Sequence, residues 1–199
     1  MVNRLRTVTG VRKVGHAGTL DPFATGLLLV CFAGATKQVD HLMALEKEYV
    51  ATFEFGKQTD TDDITGAIIM ERPVDHLNRQ EVAGALEKYR GEFLQTPPAY
   101  SAVKVKGRRL YKLARQGKDI EVAPRRVTIH DLRLETLSLP EVTLRIVCSR
   151  GTYIRALARD LGNDLRCGAF VRALRRTRIG DFRVEEAMPI STFDRDFSV

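Results

Sequence analysis

The residues with the most chemistry in them lie in one short loop, GHAGTLDPFATG at positions 15–26. It gathers three glycines, His16 and Asp21. Glycine lets backbone approach a bound molecule closely, and a carboxylate held in such a loop can serve as a nucleophile or a base. Taken alone, the segment leaves two readings open in about equal measure: Asp21 is catalytic, or Asp21-Pro22 is an ordinary Asx turn. It is not a phosphate-binding P-loop, because the Gly and Lys-Ser/Thr spacing is missing. The acidic stretch Asp60–Gly66, with Glu71 beyond, fails as a calcium loop: Ile64 stands where a ligand should be, and the glycine comes one position late. The histidines (His16, His41, His76, His130) and the cysteines (Cys31, Cys148, Cys167) show no zinc spacing. Three scattered cysteines read as unpaired thiols in a reducing compartment, the cytoplasm.

Charge points to a polyanionic partner. Lys and Arg total 32 against 25 Asp and Glu, a formal net charge of +7 over 199 residues. Nine arginines crowd positions 145–178, with Asp160 and Asp164 as the acids among them, and Lys104, Lys106, Arg108, Arg109, Lys112, Arg115 and Lys118 form a second cluster without acids. Any single charge is best read as solvated. Two acid-poor blocks flanking Tyr100, Tyr111 and Tyr153 favour nucleic acid, since cations contact phosphates and aromatic rings stack on bases.

Elements must position these groups. The pattern predicts the tail of a helix at Val2–Thr9, a short buried strand at Leu27–Ala33 and a helix at Thr36–Leu45. Tyr49–Phe55 alternates as a half-buried strand, the polar loop Gly56–Gly66 comes next, and Ala67–Met70 reads as an apolar strand. Asn78 caps a helix running to Tyr89. After Pro97–Pro98 come a strand near Ser101–Val105 and a basic helix over Arg108–Gln116. Strands at Arg126–Leu137 and Glu141–Ser149, a helix at Thr152–Leu165 and a strand near Phe170–Ile179 complete the chain. This order is no regular βαβ repeat, and turns as short as Leu139–Pro140 imply antiparallel pairing, so the expected class is α+β on a mixed, largely antiparallel sheet. No repeat, linker or membrane-length apolar run divides the chain, and one domain over 1–199 is expected.

The loop together with its downstream strand, GHAGTLDPFATGLLLVCFAGATK, resembles the catalytic motif of the TruB family of tRNA pseudouridine synthases, whose Asp in G-T-L-D-P is essential. Four further stretches match in order: EKEYVATFEFGKQTDTDDITG at 46–66, QTPPAYSAVKVKGRRLYKLARQG at 95–117, CSRGTYIRALARDLG at 148–162 and CGAFVRALRR at 167–176. The resemblance implies the pseudouridine synthase fold and makes Asp21 the catalytic carboxylate. Tyr49 would pack on the target base near the proton leaving C5, and Arg155 would pair with Asp21. Tyr153 and Leu174 would line the uracil pocket, and His16 would enter the space vacated by the unstacked nucleotide. Asp60 would organise a second layer around the site or simply cap a turn. Seen singly, Tyr49, Tyr153 and Leu174 would be core, His16 a loop hydrogen-bonder and Arg155 a phosphate contact.

Pseudouridine formation breaks N1–C1′, turns the uracil and joins C5 to C1′. There is no redox step, so neither cofactor nor metal is expected. The implied substrate is the T-arm uridine at position 55 of tRNA. FGKQTDTDDITG and the 95–117 insertion look bacterial rather than like the archaeal and eukaryotic guide-RNA-dependent relatives. A monomer is expected. Family members usually begin with a strand and a Lys-Pro-x-Gly-x-Thr-Ser motif, whereas this sequence opens inside the helix after that motif, and it stops near Val199 without the RNA-binding PUA domain that many members append. The expectation is therefore a catalytic domain lacking both. Two other readings stay open: a non-catalytic RNA-binding or RNA-folding module on the same fold, and a glycosidic-bond hydrolase, which would want a second acid that the matched motifs do not supply.

Overall fold

The computed structural model describes residues 1–101, 104–105, 108–110 and 122–197. Its backbone is one seven-stranded sheet in which Lys47–Phe55 (β4) is flanked by Glu141–Cys148 (β11) and Ala169–Ile179 (β12), both antiparallel to it. Beyond β11 lie Arg125–Ser138 (β10) and Gly91–Gln95 (β7), and beyond β12 lies Phe182–Arg183 (β13). Thr25–Gly26 (β2) adds a short parallel pairing to β12. The α+β class and the mixed, largely antiparallel sheet are as the sequence implies.

Period-two alternation decides what each face carries. From β4, Ala51, Phe53 and Phe55 enter the core, joined by Val142, Leu144 and Ile146 from β11 and by Ala169, Val171 and Leu174 from β12. Two helices cover this face. Arg79–Glu87 (α3) contributes Val82 and Leu86, and Ile154–Asp164 (α4) contributes Ile154, Leu157, Ala158 and Leu161. Asn78 caps α3 with a full capping box, its Oδ1 accepting from the Gln80 and Glu81 amides while the Glu81 carboxylate accepts from the Asn78 amide.

The opposite face of the sheet holds ion pairs. Arg172 bonds Glu54 at 2.6 Å and Glu141 at 2.9 Å, Arg145 bonds Glu48 at 2.9 Å and Glu135 at 2.6 Å, and Arg178 bonds Glu46 at 2.8 Å. The arginine block at 145–178 is acid-poor in sequence, but β4, β10 and β11 bring carboxylates across to it.

Several elements differ from expectation. The run 27–33 is extended only at Val30–Phe32 (β3), which leaves the main sheet to pair with Val14–His16 (β1). The single helix expected over 36–45 is a 3-10 segment, Ala33–Gln38, continued by Val39–Ala44 (α2). Ala33 at φ 47° breaks the regular geometry at its start. Lys57–Thr59 (β5), within the expected loop, pairs with Ile68–Glu71 (β6), and Ile68 and Ile69 of that hairpin are exposed. Arg108–Arg109 (β9) pairs with Lys104–Val105 (β8) instead of opening a helix. The remainder of the expected basic helix, from Tyr111 to Gln116, lies outside the described residues. Val2–Thr9 (α1) is helical as expected and packs against Ile190–Phe197 (α5), where Arg4 and Asp194 form an ion pair. Among the described residues no helix is long and apolar enough to cross a membrane.

Candidate active site

The loop carrying Asp21 is stitched down at both ends. Upstream, β1 pairs with β3 and the Ala17 amide donates to the Leu29 carbonyl at 3.0 Å. Downstream, Thr25 and Gly26 run beside Arg175 and Arg176, and the Leu27 amide donates to the Arg176 carbonyl at 2.8 Å. Gly26 has φ +101°, and a Cβ there would come within 2.2 Å of the Arg176 carbonyl oxygen. Both the backbone geometry and the close approach require glycine. Gly26→Ala is therefore expected to cost about 3 kcal/mol or more of stability, read as a lowered urea midpoint with an unchanged m-value.

In Asp21 the main chain and the side chain bond separately. Its carbonyl accepts from the Ala24 amide at 2.9 Å, closing a turn, while its carboxylate meets Arg155. Arg155 donates Nε to Asp21 Oδ2 at 2.9 Å and Nη2 to Asp21 Oδ1 at 3.1 Å, a bidentate fork. The guanidinium is 5% exposed and spends its remaining donors on the Thr61 and Tyr100 carbonyls, both at 3.0 Å. Asp63 Oδ2 stands 3.6 Å away.

Arg155 sits in the first turn of α4, and that turn is itself held. Gln95, a buried amide at the end of β7, donates to the Tyr153 carbonyl at 3.1 Å and accepts from the Tyr153 amide at 2.8 Å. The loop between β5 and β6 braces the other side. Asp63 Oδ1 accepts from Thr61 Oγ1, the Thr65 amide and Thr65 Oγ1, fixing the carboxylate that faces Arg155. Asp60 has no such role, since it accepts from the Ala67 amide at 2.9 Å and caps the exposed turn.

A cavity of about 340 Å³ opens over the Asp21–Arg155 pair. Tyr49, Tyr153 and Leu174 line it along with both members of the pair, so five of the six expected residues converge. The register explains part of this, since Leu174 pairs with Ala51 and Arg176 with Tyr49 across β12 and β4. His16 is on β1 and does not line the cavity; its Nδ1 is buried without a hydrogen-bond partner among the described residues. Residue-level reasoning missed Lys47, Gln95, Ser101, Asp63 and Arg176. Lys47, Ser101 and Arg176 line the cavity, and Ser101 Oγ is buried without a partner among the described residues. Arg176 shares strand parity with Leu174 and faces the same side, whereas bulges at Val171/Ala173 and Arg176/Arg178 turn Arg172 and Arg178 away.

Burial dominates the electrostatics. It pushes the Tyr49 phenol up to about 12, leaving it protonated at neutral pH. Lys47 is lowered from the usual lysine range, first by burial and then by Arg176, and its ammonium donates to the Met43 and Leu45 carbonyls. Asp62 is raised to about 6 by burial, despite Arg159 at 3.5 Å. A raised acid binds its proton more tightly in the folded state, so its contribution favours folding at low pH and is lost as pH rises from the unfolded value near 3.8 through about 6. Asp62→Asn is expected to remove that decline, seen as a flatter profile of urea midpoint against pH between 4 and 6.

Comparison with known proteins agrees with this geometry. Residues 6–154 match the model of the TruB family pseudouridylate synthase N-terminal domain, and residues 155–195 match the tRNA pseudouridylate synthase B C-terminal domain. The two stretches meet inside α4, and the core draws on both. A tRNA pseudouridine synthase B of Phocaeicola vulgatus is 43% identical over 97% of this chain and 85% of its own length. One from Bacteroides fragilis is 46% identical over 91% and 78%, and one from Francisella philomiragia 44% over 96% and 63%. Among solved structures, a chain of a Cbf5-Nop10-Gar1 complex aligns with a TM-score of 0.70 at 27% identity, over 92% of this chain and 45% of that one. A chain of an H/ACA RNP bound to a substrate RNA containing 2'-deoxyuridine aligns at 0.71 and 23% identity, a likeness of fold, over 98% and 47%. The chain spans less than half the length of these two solved chains. On the matched domains and the curated relatives together, this chain belongs to the TruB family of pseudouridylate synthases.

Proposed function

We propose that the chain isomerises uridine to pseudouridine in tRNA, at the T-arm uridine of position 55, with Asp21 as the catalytic carboxylate. The observation that carries this is the bidentate Asp21–Arg155 pair under a cavity walled by Tyr49, Tyr153 and Leu174. In this reading Arg155 aims and neutralises the carboxylate. The aromatic and apolar walls hold the uracil while N1–C1′ opens, and they discourage water from capturing the sugar before C5 closes on it. With its phenol at about 12, Tyr49 is phenolate in only about one molecule in 10⁵ at pH 7. It is therefore a neutral platform that packs on the target base near the proton leaving C5. The base must leave its stack to reach Asp21, and in this reading His16, which does not line the cavity, enters the gap the base leaves. The reading takes the chain as one catalytic domain, monomeric and cytoplasmic.

Incubation with an unmodified tRNA transcript, then mapping with a carbodiimide adduct that stops reverse transcription, tests the reading. A stop at the T-loop uridine supports it. Tight binding without product would mark a non-catalytic RNA module, and released uracil would mark a hydrolase. The prebuilt ion pair favours the enzyme over the module, since a buried arginine facing two carboxylates is costly to keep without use.

A further inference from the structure

We propose that Arg176 is a positioning residue for the reaction: it clamps the two ends of the loop that carries Asp21. The inference rests on the reading of Asp21 as the catalytic group. Arg176 is 1% exposed, the largest fully buried side chain among the described residues. Its guanidinium donates Nε to the Leu27 carbonyl at 2.8 Å and Nη2 to the Gly18 carbonyl at 3.2 Å. Those carbonyls belong to the residues bracketing Thr19–Gly26, so one planar group fastens both ends of the segment that carries Asp21.

The main chain of the same residue reinforces the clamp. The Arg176 carbonyl accepts from the Leu27 amide, and Gly26 lies against the Arg176 backbone too closely for any side chain. The guanidinium also lines the cavity and lies beside the Tyr49 hydroxyl, its cross-strand partner on β4, tying the loop to that ring. A buried cation needs compensation, and among the described residues its hydrogen bonds go to carbonyl dipoles rather than a carboxylate. Charge alone therefore does not account for an arginine here: the fixed fork reaches two carbonyls at once, and an ammonium on a flexible stem does not. An arginine so deeply buried is no contact for the RNA backbone, and its neighbour Arg175, which is exposed, serves as the control for loss of charge alone.

The test compares Arg176→Met, Arg176→Lys and Arg175→Met with the parent chain, measuring single-turnover modification, tRNA dissociation constant, and hydrogen exchange by mass spectrometry. For Arg176→Met the expected result is a modification rate lowered about 100-fold with tRNA affinity within about threefold, because misplacing a catalytic group by an ångström costs that much in rate and nothing in docking. Arg176→Lys is expected to recover only part of the rate, and Arg175→Met to keep a rate within about threefold of the parent. Exchange is expected to rise in peptides covering residues 17–29 and to stay unchanged across the β10–β11 pair. Three outcomes overturn the proposal: an unchanged rate in Arg176→Met, a rate loss matched by an equal loss of affinity, or exchange rising equally throughout the sheet. If the parent chain makes no pseudouridine, the functional reading fails, and exchange in residues 17–29 still decides whether Arg176 clamps the loop.

Discussion

Asp21→Asn is expected to abolish measurable pseudouridine formation, a loss of about 10⁴-fold or more in the single-turnover rate, while fold and tRNA affinity persist. The substitution separates chemistry from architecture because Asn keeps the shape of the side chain and leaves the turn intact: the bond from the Ala24 amide goes to the Asp21 main-chain carbonyl. The side-chain amide retains one acceptor oxygen for the Arg155 fork and loses the charge needed to attack carbon or to take a proton. Product formation within about tenfold of the parent would show that some other group carries the reaction.

Arg155→Lys is the second large effect, expected to lower the rate about 10² to 10³-fold with little change in binding. The planar guanidinium serves both Asp21 oxygens, the Thr61 and Tyr100 carbonyls and the nearby Asp63 together. A lysine ammonium carries the same charge to one place only, so Asp21 would lose its fixed orientation. Arg155→Met goes further, leaving the 6%-exposed Asp63 side chain without its cation, and is expected to cost about 3–5 kcal/mol of stability as well. Denaturant titration beside the rate assay distinguishes the two: a lysine variant as active as the parent would mean that the fork is dispensable.

The sequence made the centre of the site legible and left its supports obscure. Asp21, Tyr49, Tyr153, Arg155 and Leu174 stand in ordered motifs, and the strands that bring them together alternate cleanly enough to be read. Arg176 hid in plain view: in a run of arginines a buried one has the same letter as a solvated one, and Arg172 and Arg178 share its parity with Leu174 but are turned to the other face by bulges the letters do not announce. Gln95 gave no signal at all, because a lone amide before two prolines becomes a clamp only when β7 is placed beside α4. Asp60 and Asp63 are near neighbours in one acidic loop, and which of them turns toward Arg155 depends on the left-handed backbone at Asp62, φ 59°, which no composition announces. The ion pairs of the arginine block were hidden for the same reason: pairing across strands is invisible along the chain.

The position of β4 carries a cost during synthesis. Both of its neighbours in the sheet, β11 and β12, come from the far part of the chain, so Phe53 can pair with Val142 and Val171 only after most of the polypeptide has left the ribosome. Until then Ala51, Phe53 and Phe55 form a sticky ribbon with both edges open, and such distant pairings close slowly. The same strand that sits at the middle of the finished sheet is thus the one left longest without partners in the nascent chain.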